Sequence, residues 1–149
     1  MDGALPPPQS VLFVCNYNAI RSVMAKGLMQ LRFGKSVWVD SCGVRPGGVT
    51  DPFMLEVMDE RGVDLAKHRP KAFNDLDDFS FDLVITLTPE AHHRALELTR
   101  TLALEVEYWP TYDPSLSQGS REQRLEDYRA CRDALDRRIS TRFVRPQSG

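Results

Sequence analysis

Cys15 and Arg21 stand six residues apart in the stretch VLFVCNYNAIRSVMAKGL, with Asn16, Tyr17, Asn18, Ala19 and Ile20 between them and Ser22 directly after. The thiol ends a short apolar run, and the guanidinium opens a segment of helical spacing. A loop between a strand and a helix N-terminus can turn its amides inward, and the positive end of the helix dipole then completes an anion cradle. The same field favours a thiolate at Cys15, which is the nucleophilic form. From the first helical turn, Arg21 can fold back over the loop and grip two oxygens of a tetrahedral oxyanion. Ser22 can donate a hydrogen bond to the sulfur. Asn18 is the loop residue suited to a left-handed backbone, which turns successive amides the same way.

Cysteine and arginine at this offset also recur by chance in an arginine-rich chain, and a lone cysteine serves equally as a small core residue. The conjunction of strand, Cys15, Asn18, Arg21-Ser22 and helix points to an oxyanion-binding nucleophile. Sulfur attacking a phosphate ester further needs an acid to protonate the departing oxygen. Two Asp-Pro pairs are available. Asp51-Pro52 sits where a helix N-cap and its N1 proline belong. Asp113-Pro114 lies in a loop after the fourth strand, where a plain turn and an acid facing the loop are both consistent with its position.

The elements that must position these residues alternate. VLFV (11–14), VWVDS (37–41), FDLVITL (81–87) and LEVEYW (104–109) read as strands, the last as an edge because its apolar residues alternate. A helix over 19–33 carries Ile20, Met24, Leu28 and Leu31 and closes at Gly34. A second follows Thr50 or Asp51 and closes at Gly62, and a third is capped by Thr88 with Pro89 at N1. Ser120 caps a long last helix whose buried stripe runs Leu125, Tyr128, Cys131 or Arg132, Leu135 and Ile139. Such alternation predicts an α/β domain with a parallel sheet covered on both faces. Ligands of these sheets sit outside the carboxyl ends of the strands, where Cys15 lies.

With 149 residues, the chain is sized for one domain. Its boundaries are expected at 11–141, with a disordered segment over 1–10 and a flexible tail over 142–149. A net charge of −2 gives no reason to expect nucleic acid or an anionic membrane as partner. Three widely spaced cysteines form no metal-ligand cluster and suit a reducing compartment. The opening MDGALPPPQS lacks both the basic and the apolar region of a secretory signal, so a cytoplasmic location is expected.

VLFVCNYNAIRSVMAKG resembles the phosphate loop of the low-molecular-weight protein tyrosine phosphatases and the related arsenate reductases. The resemblance continues in VDSCGV, GVDLAKHRPK, FDLVITLTPE and DPS, in family order. Classical tyrosine phosphatases place the acid before the cysteine and a histidine directly ahead of it. Here the acid follows and Val14 precedes.

The resemblance implies a flavodoxin-like phosphotyrosine phosphatase I fold, a three-layer sandwich around a four-stranded parallel sheet of order 2-1-3-4. It makes Cys15 the nucleophile, Asn16, Tyr17, Asn18, Ala19, Ile20, Arg21 and Ser22 the phosphate-binding segment, and Asp113 the general acid. Asn18, Ser41 and His68 match a supporting hydrogen-bond network. No metal or cofactor is implied, because amides and guanidinium supply the positive charge. A phosphorylated protein or small aryl phosphate would be the partner, with inorganic phosphate or arsenate as oxyanion ligand. His92 and His93 match nothing and are expected to face solvent.

Several residues depart from that pattern. Tyr17 stands where the family usually has glycine, which makes the loop rim bulkier. Ile20 replaces a cysteine that in some members forms a protective disulfide. Ser115 and Leu116 follow Pro114 in place of the tyrosine pair that walls the aromatic slot, leaving Tyr17, Trp109 or Tyr112 to supply one. EYWPTYDPS and the basic last helix look closer to the arsenate reductase branch, yet TLTPEAHHRA lacks the two resolving cysteines of its thioredoxin-coupled members. Cys42, near Cys15 in principle, better suits a small buried niche. The leading expectation is phosphomonoester hydrolysis through a cysteinyl-phosphate. Its alternatives are an arsenate reductase using a low-molecular-weight thiol and a catalytically weak oxyanion-binding protein.

Overall fold

The computed structural model describes residues 5–76 and 80–144; of the expected terminal segments 1–10 and 142–149, residues 1–4 and 145–149 lie outside the described residues. The order along the chain is β1 (Ser10–Cys15), α1 (Arg21–Phe33), β2 (Trp38–Gly43), α2 (Pro52–Asp59), β3 (Leu83–Thr86), α3 (Pro89–Leu98), β4 (Glu105–Tyr108) and α4 (Arg121–Arg142). All pairings are parallel, and the sheet order is β2-β1-β3-β4, as the resemblance implies. The register sets Cys15 beside Gly43, and Val14 beside Thr86, which pairs in turn with Tyr108. The carboxyl ends of all four strands therefore meet along one edge.

Residue alternation along β1 divides the core. Val11, Phe13 and Cys15 pack into a cluster with Met24 and Leu28 of α1, Met54 and Val57 of α2, and Tyr128 and Leu135 of α4. Leu12 and Val14 face the other side, with Cys42, Val84 and the α3 residues Ala91 and Ala95. A strand buried on both faces reads as a continuous apolar run, which is what VLFV is.

Helix ends follow the capping chemistry in the sequence. Asp51 accepts from the amides of Phe53 and Met54, Thr88 from Ala91, and Ser120 from Gln123 in a reciprocal box. Gly62, at φ +73°, turns the chain out of α2. The last helix buries Leu125, Tyr128, Leu135 and Ile139 together with both Cys131 and Arg132.

Several boundaries differ from expectation. The first helix begins at Arg21, since residues 16–20 belong to the loop, and Leu31 is 55% exposed because Phe33, edge-on to Phe143, closes that end of the core. Strand β2 continues through Cys42 to Gly43, while β3 is shorter than the apolar run that contains it. The chain also holds its edges: Ser10 opens β1, and Leu5 bridges Phe143, with Leu5 N donating to Arg142 O at 3.2 Å and Val144 N to Leu5 O at 3.0 Å. Among the described residues, no helix is long and apolar enough to cross a membrane.

Candidate active site

Six consecutive carbonyls, from Cys15 to Ile20, are each taken by a donor outside the loop. Val44 N bonds Cys15 O at 3.0 Å, Arg45 N bonds Asn16 O at 2.8 Å, and Gly47 N bonds Tyr17 O at 3.4 Å. His68 Nε2 donates to Asn18 O at 3.0 Å, Asp51 N to Ala19 O at 3.3 Å, and Met24 N to Ile20 O at 2.9 Å. In a trans peptide the C=O and the following N–H point opposite ways. Carbonyls 15–20 drawn outward therefore turn amides 16–21 inward, toward one concavity at the N-terminus of α1. Asn18 makes the turn at φ +55°, the one non-glycine residue with positive φ among the described residues. Tyr17 needs no such conformation, so the bulky residue leaves the loop backbone intact.

Gly43 lies against the back of this loop. A Cβ there would fall 2.7 Å from Asn16 O, 2.8 Å from Asn18 N and 3.0 Å from Tyr17 C, all backbone atoms. Only a residue without a side chain lets β2 support the loop so closely.

Behind the loop, a chain of buried polar groups has a forced direction. The amide of Lys71 can only donate, and it meets Asn18 Oδ1 at 3.0 Å, which fixes the orientation of the Asn18 side chain. Asn18 Nδ2 then donates both hydrogens, to Ser22 Oγ at 2.8 Å and to Ser41 Oγ at 3.0 Å. Ser22 is an acceptor there, so its own proton remains for Cys15 Sγ at 2.9 Å. Asn18, Ser22 and Ser41 are fully buried, so each unmade bond would be costly.

His68 is half-buried. Burial lowers its pKa, with the charges of Lys26 and Lys71 adding to the effect, so the ring is neutral and offers Nε2–H to the loop. Asp40, beneath this network, has the opposite balance. Burial alone would raise its carboxyl, but the hydrogen bond from Lys71 at 2.9 Å, the Ser41 amide and Lys26 hold it below its usual range.

Strand β4 delivers the remaining groups. The chain runs on beside β3, with Trp109 N on Thr86 O at 2.7 Å and Thr111 N on Leu87 O at 3.1 Å. That extension brings Thr111 O to 3.0 Å from Arg21 Nη1 and Asp113 Oδ2 to 3.8 Å from Arg21 Nη2. The other oxygen of Asp113 is held by Ser115, through its amide at 2.9 Å and its hydroxyl at 2.7 Å. Asp51 has no oxygen to spare: one caps α2 and the other accepts from Tyr128 Oη at 2.8 Å. Of the two Asp-Pro pairs, the one beside Arg21 is Asp113.

The other cysteines lie apart from this arrangement. Cys42 points to the opposite face of the sheet from Cys15, and burial pushes its thiol well up. Cys131 faces the backbone of Tyr112 from α4, and burial pushes its thiol up to about 12. Trp109 is 2% exposed and spends its indole N–H on Glu107, so it walls nothing.

His92 corrects an expectation. It is half-buried, not solvent-facing: Nδ1 lies 2.9 Å from Thr86 Oγ1, and the ring stacks on Tyr108 at 4.6 Å. Side chains in a first helical turn lean back toward the N-terminus, and here that direction leads onto the sheet edge. His93 is exposed as expected.

The sequence reading missed Gly43, Lys71, Ser115 and the second bond of Thr88, which caps α3 and donates to Asn16 Oδ1 at 2.7 Å. Only the Thr88 cap and the DPS triplet left a trace in the sequence. The roles of Gly43 and Lys71 arise from backbone proximity.

A family model described as low molecular weight phosphotyrosine protein phosphatase matches residues 10–143. Arsenate reductase 1 of Staphylococcus epidermidis is 30% identical over 119 residues, covering 80% of this chain and 88% of that protein. The crystal structure of a low molecular weight protein tyrosine phosphatase from T. tengcongensis superposes with a TM-score of 0.74 at 25% identity, over 90% of this chain and 97% of that one. The YwlE arginine phosphatase from Geobacillus stearothermophilus gives 0.70 at 25% identity, over 90% of each chain. With its loop, fold and strand order in agreement, the chain belongs to the low molecular weight phosphotyrosine protein phosphatase family.

Proposed function

We propose that the protein hydrolyses phosphomonoesters, protein phosphotyrosine or another aryl phosphate, through a cysteinyl-phosphate. The single observation that carries this reading is the run of six outward carbonyls over Cys15–Ile20, which turns six amides onto one concavity with Cys15 at its start and Arg21 at its end. Amides and guanidinium bind the phosphoryl oxygens. The Cys15 thiolate, stabilised by the Ser22 proton, attacks phosphorus and forms the S–P bond as the ester P–O bond breaks. Asp113 gives its proton to the departing oxygen. It then takes a proton from water, whose oxygen attacks phosphorus and releases inorganic phosphate and the Cys15 thiolate. The inward amides are donors already in place for the charge that develops on the equatorial oxygens.

A second reading, arsenate reduction, is favoured by the identity to arsenate reductases. Reducing arsenate to arsenite needs two electrons. After Cys15 displaces water from arsenate to form an S–As bond, a second thiol must attack that sulfur, forming a disulfide as arsenite leaves with the S–As electron pair. Cys42 and Cys131 are both buried with raised thiols, which disfavours either as that nucleophile. Reduction would then draw on an external low-molecular-weight thiol, whereas ester hydrolysis needs only water.

Paired assays on one sample separate the two. Nitrophenyl phosphate hydrolysis is measured beside arsenate reduction with separate thiol donors, using Cys15→Ser as blank. Cys15-dependent phosphate release without arsenite is the expected result. Arsenite formed with one thiol, and negligible hydrolysis, would replace the phosphatase reading with the reductase.

A further inference from the structure

We propose that Tyr17, Arg45 and Glu90 form a fixed aromatic platform at the rim of the anion loop, which selects phosphomonoesters whose leaving group is a flat ring. The proposal rests on the phosphatase reading and assigns the residue that reads the leaving group.

Three observations place the platform. The Tyr17 side chain is 44% exposed although its neighbours in the loop are half-buried or buried. The Arg45 guanidinium lies over the ring, 5.3 Å from its centroid, while Gly47 passes beside its edge. Glu90 grips that guanidinium by two parallel hydrogen bonds, 2.9 Å and 2.7 Å, which orient the cation toward the ring. The bracket is also tied to the loop at both ends. Arg45 N bonds Asn16 O, and Thr88, two residues before Glu90, bonds Asn16 Oδ1.

The other candidates for an aromatic wall are buried, replaced by a non-aromatic residue or, like the 65% exposed Tyr112, set against another cavity. Trp109 is buried. Tyr112 lines a cavity of about 290 Å³ against α4, bounded by Trp109, Cys131, Leu135 and Arg138, to which no residue of 15–22 contributes. Ser115 is committed to Asp113. Tyr17 is therefore the one aromatic ring carried by the loop that holds the phosphate. A ring already ordered by Arg45 and Glu90 loses little freedom when a second ring stacks on it.

The test is equilibrium binding of phenylphosphonate, methylphosphonate and inorganic phosphate to the full chain and to three variants. Tyr17→Leu is expected to reduce the phenyl-over-methyl preference by about 3- to 10-fold, the span of one aromatic contact. Tyr17→Phe should retain it. Glu90→Gln should reduce it in part and leave inorganic phosphate binding unchanged, and it carries the test if Tyr17→Leu binds no anion. An unchanged preference in both Tyr17→Leu and Glu90→Gln overturns the platform. Because binding is read without turnover, a wild type that prefers phenylphosphonate yet hydrolyses no ester would sink the phosphatase reading and leave the platform standing.

Discussion

Asn18 Nδ2 stands 2.8 Å from Ser22 Oγ, and that contact aims the serine's proton at Cys15 Sγ, 2.9 Å away. Ser22→Ala removes this hydrogen bond to the sulfur that the proposed mechanism uses as thiolate, worth about 1.5–3 kcal/mol in that form. The expected result is a fall in kcat of about tenfold or more, and slower alkylation of Cys15 by iodoacetamide at neutral pH. Asn18→Gly keeps the positive φ but loses the network, whereas Asn18→Ala loses both. The alanine variant should be less stable than the glycine variant by about 1 kcal/mol in urea unfolding, from the left-handed backbone alone.

Gly43→Ala tests the support behind the loop. The added methyl meets three backbone atoms at 3.0 Å or less, and backbone cannot swing aside as a side chain would. Overpacking of this kind costs about 1–3 kcal/mol, and here the strain falls on the carbonyls of Asn16 and Tyr17. Phosphate affinity and kcat/KM are expected to drop together, about tenfold or more, as measured by product inhibition and initial rates.

On the proposed mechanism, Asp113→Asn removes the proton donor while keeping a side-chain oxygen for Ser115. Hydrolysis of an ester with a poor leaving group should slow by about 10²- to 10⁴-fold, and that of an activated aryl ester by much less. Ser115→Ala frees one oxygen of Asp113 without removing the acid. It should follow the same leaving-group trend on a smaller scale. An equal effect on both esters would show that Asp113 does not protonate the leaving oxygen.

His68 gives stability a pH dependence of known sign. Burial, with Lys26 and Lys71, lowers its pKa in the fold, while the unfolded chain titrates near about 6.5. Above that pH both states are neutral and the contribution is whole. Below it the unfolded chain binds a proton the fold refuses, so stability falls until the folded imidazole itself protonates. His68→Gln keeps an N–H for Asn18 O and removes the titration. As pH falls below about 6.5 its unfolding free energy should decline less steeply than that of wild type.

How much of this was legible depended on whether the signal was local. The strand-loop-helix pattern around Cys15 and Arg21, the prolines after Asp51 and Thr88 and the glycine after α2 are local, and each predicts its neighbourhood correctly. Strand order and the choice between Asp51 and Asp113 are not local. Asp113 reaches Arg21 only because Trp109 and Thr111 extend the chain beside β3. Gly43 was hidden for a similar reason, since its meaning comes from Asn16, Tyr17 and Asn18, 25 to 27 residues earlier, packing on its bare Cα. His92 looked like a surface residue because helix periodicity says nothing of a sheet edge within reach. Leu31 fitted the apolar stripe of α1, but in its last turn Phe33 takes the core position and Leu31 faces out. Tyr17 read as an obstruction in sequence, whereas in the fold its backbone is ordinary and its ring rests on Arg45.

The most direct measurement is acid quench of the enzyme during turnover of an aryl phosphate, followed by peptide mass mapping, with Cys15→Ala as blank. Phosphate on the Cys15 peptide, formed and lost at rates compatible with turnover and absent from the blank, is the predicted result. Phosphate released at the wild-type rate with no phosphocysteine, or with Cys15→Ala still active, would contradict sulfur as the attacking atom and the mechanism built on it.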